Sequence, residues 1–240
     1  MTRARHPGPV SLAGLRWLAA VGPAPLEAWA TAMGWAPSTA KSHAARLARE
    51  GWTEACSMTR GQGSLYFATR TGTEMARLDA TPVVRTPAPM TWAHHEACAW
   101  TAAWLTVRGR RVVGGRQLLA DDRWRGEVHW LEHGGVRRRG HRPDLAAGLR
   151  AGGPLLPIEV ELATKSSARL RAILGLYSGW ITSGKTTAVI YICQSELVAE
   201  HIRAQGARVG VAAARKTLRV EMLDRIRDAA RTSRGEASAT

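Results

Sequence analysis

Apolar positions near the start of the chain recur at helical spacing. Leu12, Leu15, Leu18 and Ala19 fall on one face of a helix over residues 11–20. Pro25 is suited to open a second, short helix with Leu26, Trp29, Ala30 and Met33 on its inner face and Gly34 at its end. Trp35-Ala36-Pro37 makes a turn, and Ser38 or Thr39 starts a third helix that ends at Gly51. Its inner positions are Ala40, Ala44, Leu47 and Ala48, and its outer face carries Ser38, Thr39, Lys41, Ser42, His43 and Arg46. Two strand-like runs, 52–58 and 64–69, flank Arg60-Gly61-Gln62-Gly63 and predict a hairpin. A short helix over 71–78 follows.

The pattern changes at residues 80–91. Three prolines there fix φ and remove donors, so the segment reads as an extended linker. Residues 92–107 then predict an amphipathic helix with Ala93, Ala97, Trp100, Trp104 and Leu105 on its apolar side. Residues 111–118 are strand-like. From Arg116 through Trp124 and Trp130 to the basic run Arg137, Arg138, Arg139 the chain reads as irregular. Strands around Asp144 and around Ile158–Glu161 come next. They are followed by a helix over 166–177 (Leu170, Ile173, Leu174 and Tyr177 inward), a buried strand over 188–193, a helix over 195–205 and a last strand over 218–223. The polar end, 232–240, reads as a disordered tail. The domains expected are therefore 8–79, the linker 80–91, and 92–231.

Composition sharpens this. The chain has 240 residues, an ordinary 45% hydrophobic share and a formal net charge of +15. Residues 1–90 carry +5 of that charge and residues 91–240 carry +10. Such a field favours polyanions, nucleic acid foremost. All but four of the 34 Lys and Arg residues are Arg, a balance that fits a GC-rich genome and is not itself a sign of phosphate contacts. Three scattered cysteines, Cys56, Cys98 and Cys193, make no disulfide framework, and a reducing cytoplasm fits. No apolar run is long enough to span a bilayer, so no membrane partner is expected.

The chemistry concentrates in Arg142-Pro143-Asp144 and Ile158-Glu159-Val160-Glu161. A hairpin centred on residues 150–153 sets Asp144 across from Glu159, and the period of two puts Glu159 and Glu161 on one strand face. Carboxylates gathered this way repel unless a cation joins them, and oxygen donors suit Mg²⁺. The plainer reading is that acids at strand ends face water, but the flanking residues here are apolar.

Two resemblances follow from these residues. The three helices and hairpin of residues 8–80 resemble a winged helix, whose third helix reads a DNA groove and whose wing, here Arg60, touches phosphates. The alternative for that half is a small helical domain that serves to form a homodimer. The order helix, three strands, helix, strand resembles the PD-(D/E)XK nuclease core. That likeness implies Asp144 and Glu159 as metal ligands with Mg²⁺ as cofactor. Glu161 stands where the family usually has Lys, and Lys165 either supplies the missing positive charge or is a plain surface lysine. Glu96 reads as a solvated helix-face charge. The fold class expected is thus mixed α/β, an N-terminal winged helix-turn-helix followed by a restriction-endonuclease-like αβββαβ domain. With the strings Arg-Pro-Asp-Leu and Ile-Glu-Val-Glu-Leu-x-x-Lys, the whole chain resembles the plasmid replication-relaxation family. The resemblance implies DNA-linked work on a plasmid or other mobile element, namely control of replication, copy number or transcription, and the protein expected is a cytoplasmic one that binds double-stranded DNA. The rival is an active Mg²⁺-dependent endonuclease that uses Asp144, Glu159, Glu161 and Lys165, with Arg137, Arg138 and Arg139 holding the DNA backbone.

Three further signals lie outside these resemblances. Residues 179–186 spell the P-loop string, yet they follow a helix and precede a strand, the reverse of a phosphate-binding turn. The histidines at 94, 95, 129, 133 and 141 match no closed zinc spacing, and His95 reads as a packed or capping residue. Trp124, between two arginines, is the candidate for exposed base stacking.

Overall fold

The computed structural model describes residues 6–57, 63–78, 81, 86–148, 153–211 and 217–237. The chain is mixed α/β. Its first half runs α1 (Pro9–Val21), β1 (Ala24–Pro25), α2 (Leu26–Met33), α3 (Pro37–Arg49), β2 (Thr53–Ser57), β3 (Ser64–Ala68) and α4 (Arg70–Met75). Proline at the first turn of α1 and α3 supplies the helical φ where its missing N–H costs nothing. Gly34 ends α2 in the left-handed region at φ 65°. β2 and β3 pair antiparallel, with Ala55 opposite Tyr66, and β1 joins β3 on its other edge. On α3, Ala40, Ala44 and Leu47 are buried as the spacing requires, but Ala48 is exposed. Arg60, the expected wing contact, lies outside the described residues.

The second half runs α5 (Trp92–Val107), β4 (Arg111–Gly114), α6 (Gly115–Leu119), β5 (Gly126–Glu132), β6 (Gly135–His141), β7 (Leu145–Gly148), β8 (Leu155–Glu161), α7 (Ser167–Thr182), β9 (Val189–Cys193), α8 (Glu196–Arg208), β10 (Leu218–Met222) and α9 (Leu223–Ala237). Five strands make one sheet in the order β10-β9-β8-β7-β4. The β4-β7-β8 side is antiparallel and the β8-β9-β10 side is parallel, each parallel crossover being a helix. β5 and β6 form a separate two-stranded hairpin.

Several expectations need correction. Residues 115–119 are helical, not strand. The stretch from Trp124 to His141 is not irregular but mostly the β5–β6 hairpin, turned at His133 and Gly134 with φ of 50° and 77°. Residues 232–237, expected to be a disordered tail, continue α9. α9 packs on α5 through Ile226 and Ala230. Ala93 is exposed, whereas α5 is buried all round from Ala97 to Ala103. It is held between the sheet and helices α2 and α9, so its sequence shows no clean stripe.

Alternation on the sheet divides the core. Leu145, Ala147, Leu156, Ile158, Val160, Ile190 and Ile192 face one way, into a cluster continuous with α1, α2, α3 and α5. Ala146, Val189, Tyr191 and Cys193 face the other way, beneath α7 and α8. Glu159 and Glu161 take the second direction. The two halves of the chain therefore share one apolar cluster, and the Trp17 indole donates across them to Thr106 Oγ1 (3.0 Å). Of the expected linker, residues 89–91 form a 3-10 turn, and Pro87 O accepts from the Trp92 indole (2.8 Å).

Gly114 and Gly115 allow close approaches of backbone to backbone. A Cβ on Gly114 would lie 1.8 Å from Ala20 O of α1, and one on Gly115 would lie 2.5 Å from Asp144 O. This turn therefore sets both the seat of the first half and the position of Asp144. Among the described residues no helix is long and apolar enough to cross a membrane.

Candidate functional site

β7 and β8 pair with Leu145 opposite Ile158. Continued by one residue, that register brings Asp144 opposite Glu159, as the turn position predicts. There the ladder ends. Asp144 N–H donates to Ile158 O (3.0 Å), and the Asp144 carboxylate accepts from Val160 N–H (2.8 Å). Asp144, Glu159, Glu161, Lys165 and Arg139 all line one cleft of about 650 Å³, bounded by β6, the end of β8 and the start of α7.

The three carboxylates do not confront one another bare, because each is met by a donor. Asp144 Oδ1 accepts from His94 Nε2 of α5 (3.0 Å), and this bond, against the cost of burial, raises the imidazole's pKa. Glu159, only 3% exposed, accepts from the Tyr177 hydroxyl of α7 and from His141 Nε2 (3.0 Å). Burial pushes the Tyr177 phenol well above its ordinary range, and the neighbouring Glu159 adds to this. Glu161, 5% exposed, pairs with Lys165 Nζ. Desolvation lowers the Lys165 pKa, while Glu159 and Asp144 oppose that shift. Lys165 thus joins the carboxylates rather than lying on the open surface.

The structure brings Asp144, Glu159, Glu161 and Lys165, singled out in the sequence, into one cleft, beside partners that the sequence did not single out for them. Tyr177 is an inward position of α7 that could pass for plain core. His94 and Cys98 are four apart on α5, a spacing that sets both on one face. Cys98 Sγ lies 3.5 Å from His94 Nε2, and these two atoms with an Asp144 oxygen all fall within 4.8 Å of one another. His95, next along, is half-buried, with its pKa pushed down to about 4 chiefly by desolvation. Glu96 is not simply solvated: Arg227 of α9 pairs with it at 3.0 Å.

The basic candidates divide into two groups. On α3, Ser38, Thr39, Lys41, Ser42 and Arg46 are exposed. His43 is half-buried, stacked on Trp35 at 4.4 Å, with Nδ1 2.6 Å from Ser11 Oγ. Burial first, then Arg46, lowers its pKa. Arg46 also bonds Ser11, so these two side chains brace α3 against α1. On β6, Arg137, Arg138 and Arg139 are exposed; Arg138 pairs with Glu127 (2.6 Å) and Arg137 lies 3.7 Å from Glu132.

Trp124 is not a stacking platform. It is 7% exposed and packs edge-on against Trp180. The P-loop string is the last turn of α7 and its exit: Gly184 sits at φ 75°, and Lys185 Nζ lies 3.4 Å from the Trp180 ring centroid. A larger cleft of about 740 Å³ lies between β3, α5 and α9, but its acids Glu27 and Glu96 are paired with Arg231 and Arg227.

Comparisons with protein-family models, with curated proteins and with solved structures found no match.

Proposed function

We propose that this protein binds double-stranded DNA as a control protein of a plasmid or other mobile element, of the replication-relaxation type. In this reading α1–α3 with the β2–β3 hairpin act as a winged helix. The elements α5, β4, β7, β8, α7 and β9 act as a nuclease-like αβββαβ domain carrying β5–β6 as an inserted hairpin. The observation that carries the reading is the shared cleft, in which Asp144 opposite Glu159 meets Glu161, Lys165 and Arg139. Two supports stand beside it. The net charge is +15, and the arginines of β6 are exposed, with Arg139 lining the cleft, suited to a phosphate backbone. Binding is the principal activity, because each carboxylate already has an internal donor.

A second reading, metal-dependent cleavage of DNA, is favoured by the opposition of Asp144 and Glu159 at the cleft floor. Their oxygens fit a hard divalent cation, and Asp144 and Glu159 would hold it. A bound Mg²⁺ would supply a Lewis acid for the phosphate and a more acidic water. Lys165, buried beside Glu161, would hold positive charge close to the reacting phosphate.

The test incubates supercoiled plasmid with the wild type and with Asp144→Asn, in Mg²⁺, in Mn²⁺ and in EDTA, reading gel shift and nicking together. Shift by both proteins without nicking supports the DNA-binding regulator. Metal-dependent nicking by the wild type alone establishes the second reading. No shift and no nicking contradicts both.

A further inference from the structure

We infer that His94, Cys98 and Asp144 form a site for a zinc-class ion, distinguished by its sulfur and nitrogen donors from the Mg²⁺ of the second reading, with which it shares Asp144. The inference does not depend on DNA binding. It rests on three donors of different type brought together by two elements. His94 and Cys98 project from adjacent turns of α5, and Asp144 stands at the entry to β7.

Two of the three donor–donor edges come close to those of a tetrahedron, and the third, Cys98 Sγ to the Asp144 oxygen, is within 4.8 Å. With metal–sulfur and metal–nitrogen bonds near 2.3 and 2.0 Å, the edge between the two donors is about 3.5 Å. Cys98 Sγ and His94 Nε2 are 3.5 Å apart. The His94–Asp144 edge, 3.0 Å, is slightly shorter than the roughly 3.3 Å expected of nitrogen and oxygen at such bond lengths. Charge also matches. A thiolate, a neutral imidazole and a carboxylate balance a divalent cation, and the thiol proton leaves to solvent as the metal enters. Sulfur and nitrogen donors select zinc or cobalt over magnesium, which demands an octahedron of oxygens.

The surroundings already orient the ligands. Val160 N–H holds one oxygen of Asp144, leaving Oδ1 turned to His94. Outer hydrogen bonds of this kind fix a ligating carboxylate. Cys98 is 8% exposed in a helix packed on the sheet, so its sulfur is held in place. The fourth position is open. His94 and Asp144 line both the 650 Å³ cleft and a second cleft of about 380 Å³ that also reaches Cys98. Three protein ligands with one free position is the arrangement of a zinc that binds water or a substrate oxygen.

The experiment strips the full-length protein with a chelator and titrates it with Co²⁺. The expected result is saturation at one equivalent, with strong visible bands of tetrahedral cobalt and a thiolate-to-cobalt charge-transfer band. Zn²⁺ should displace the cobalt, and Mg²⁺ in large excess should not. Cys98→Ser should abolish the charge-transfer band. His94→Gln should weaken binding at least about tenfold, the scale at which even outer-shell changes act. Glu159→Gln should leave the spectrum intact. Near-UV circular dichroism checks that each variant keeps its fold, and His94→Gln carries the test should Cys98→Ser not fold. No charge-transfer band in the folded wild type, or the same band in Cys98→Ser, overturns the inference. A gel shift on the same samples separates the two claims: loss of DNA binding with the cobalt band present contradicts the proposed function alone.

Discussion

One oxygen of the Asp144 carboxylate accepts a hydrogen bond from the main-chain N–H of Val160, the residue between Glu159 and Glu161. This bond completes the sheet where the ladder ends and fixes Asp144 beside both glutamates. A buried N–H left without an acceptor costs about 1–3 kcal/mol. Asp144→Ala should lower stability by that amount, and Asp144→Asn, which keeps a carbonyl oxygen, by clearly less. Urea unfolding with unchanged slopes measures the difference. Equal losses would mean that the bond does not hold the strand end. The same reasoning makes Asn the better substitution for activity assays.

Glu159 is buried and depends on Tyr177 and His141. Tyr177→Phe removes one donor and keeps the ring that packs on Trp180 at 5.3 Å. A hydrogen bond to a charged group contributes about 1.5–3 kcal/mol, so the variant should lose stability on that scale. Adding Glu159→Gln should cost less than the sum of the two single changes, since they share one contact. Additive losses in denaturant titrations would show that the two groups do not interact.

His95 predicts a pH dependence. Burial holds its pKa down at about 4; His94 and Arg116 push the same way, and Asp144 opposes them. A depressed histidine contributes stability that is fully present above its unfolded pKa of about 6.5 and is lost as pH falls toward the folded value. After discounting for partial exposure, the loss should be about 1–2 kcal/mol between pH 7 and pH 4. His94, with its raised pKa, acts in the opposite sense: its contribution is present at low pH and lost as pH rises. Comparing wild type with His95→Gln cancels the His94 part. The variant should have the flatter profile in thermal melts, and parallel profiles would refute the assignment.

The outward residues of α3 should not behave alike. Lys41 is exposed, whereas His43 stacks on Trp35 and lies in hydrogen-bond contact with Ser11. Lys41→Ala should weaken DNA binding across sequences and reduce the salt slope by about one. His43→Ala should lower the melting temperature. The reverse pattern would mean that His43, not Lys41, reaches the nucleic acid.

The register of the carboxylate hairpin was legible because the Gly-rich turn fixes the pairing and strand period fixes the face. Residues 149–152 of the turn lie outside the described residues, yet the strands on either side meet at the expected positions. The β5–β6 hairpin was not legible. β6 is exposed along nearly its whole length, so no apolar alternation marks it, and only the turn at His133-Gly134 hints at it. α9 was hidden by its charge, although Leu223, Ile226 and Ala230 repeat at helical spacing. Trp124 shows why flanking polarity misleads: its arginine neighbours are exposed while its own ring turns inward to Trp180. The His94–Cys98 pair was visible as a spacing, but its third member lies far along the chain. Only the packing of α5 across β7 brings Asp144 to it.

The central claim is that the exposed residues of α3 and the exposed arginines of β6 contact DNA. Fluorescence anisotropy with duplex DNA across a series of salt concentrations tests it most directly. Wild type should bind with affinity that falls steeply as salt rises. Arg137→Ala with Arg139→Ala, and separately Lys41→Ala, should each weaken binding and flatten the slope. Unchanged affinity and slope in both variants would contradict the account.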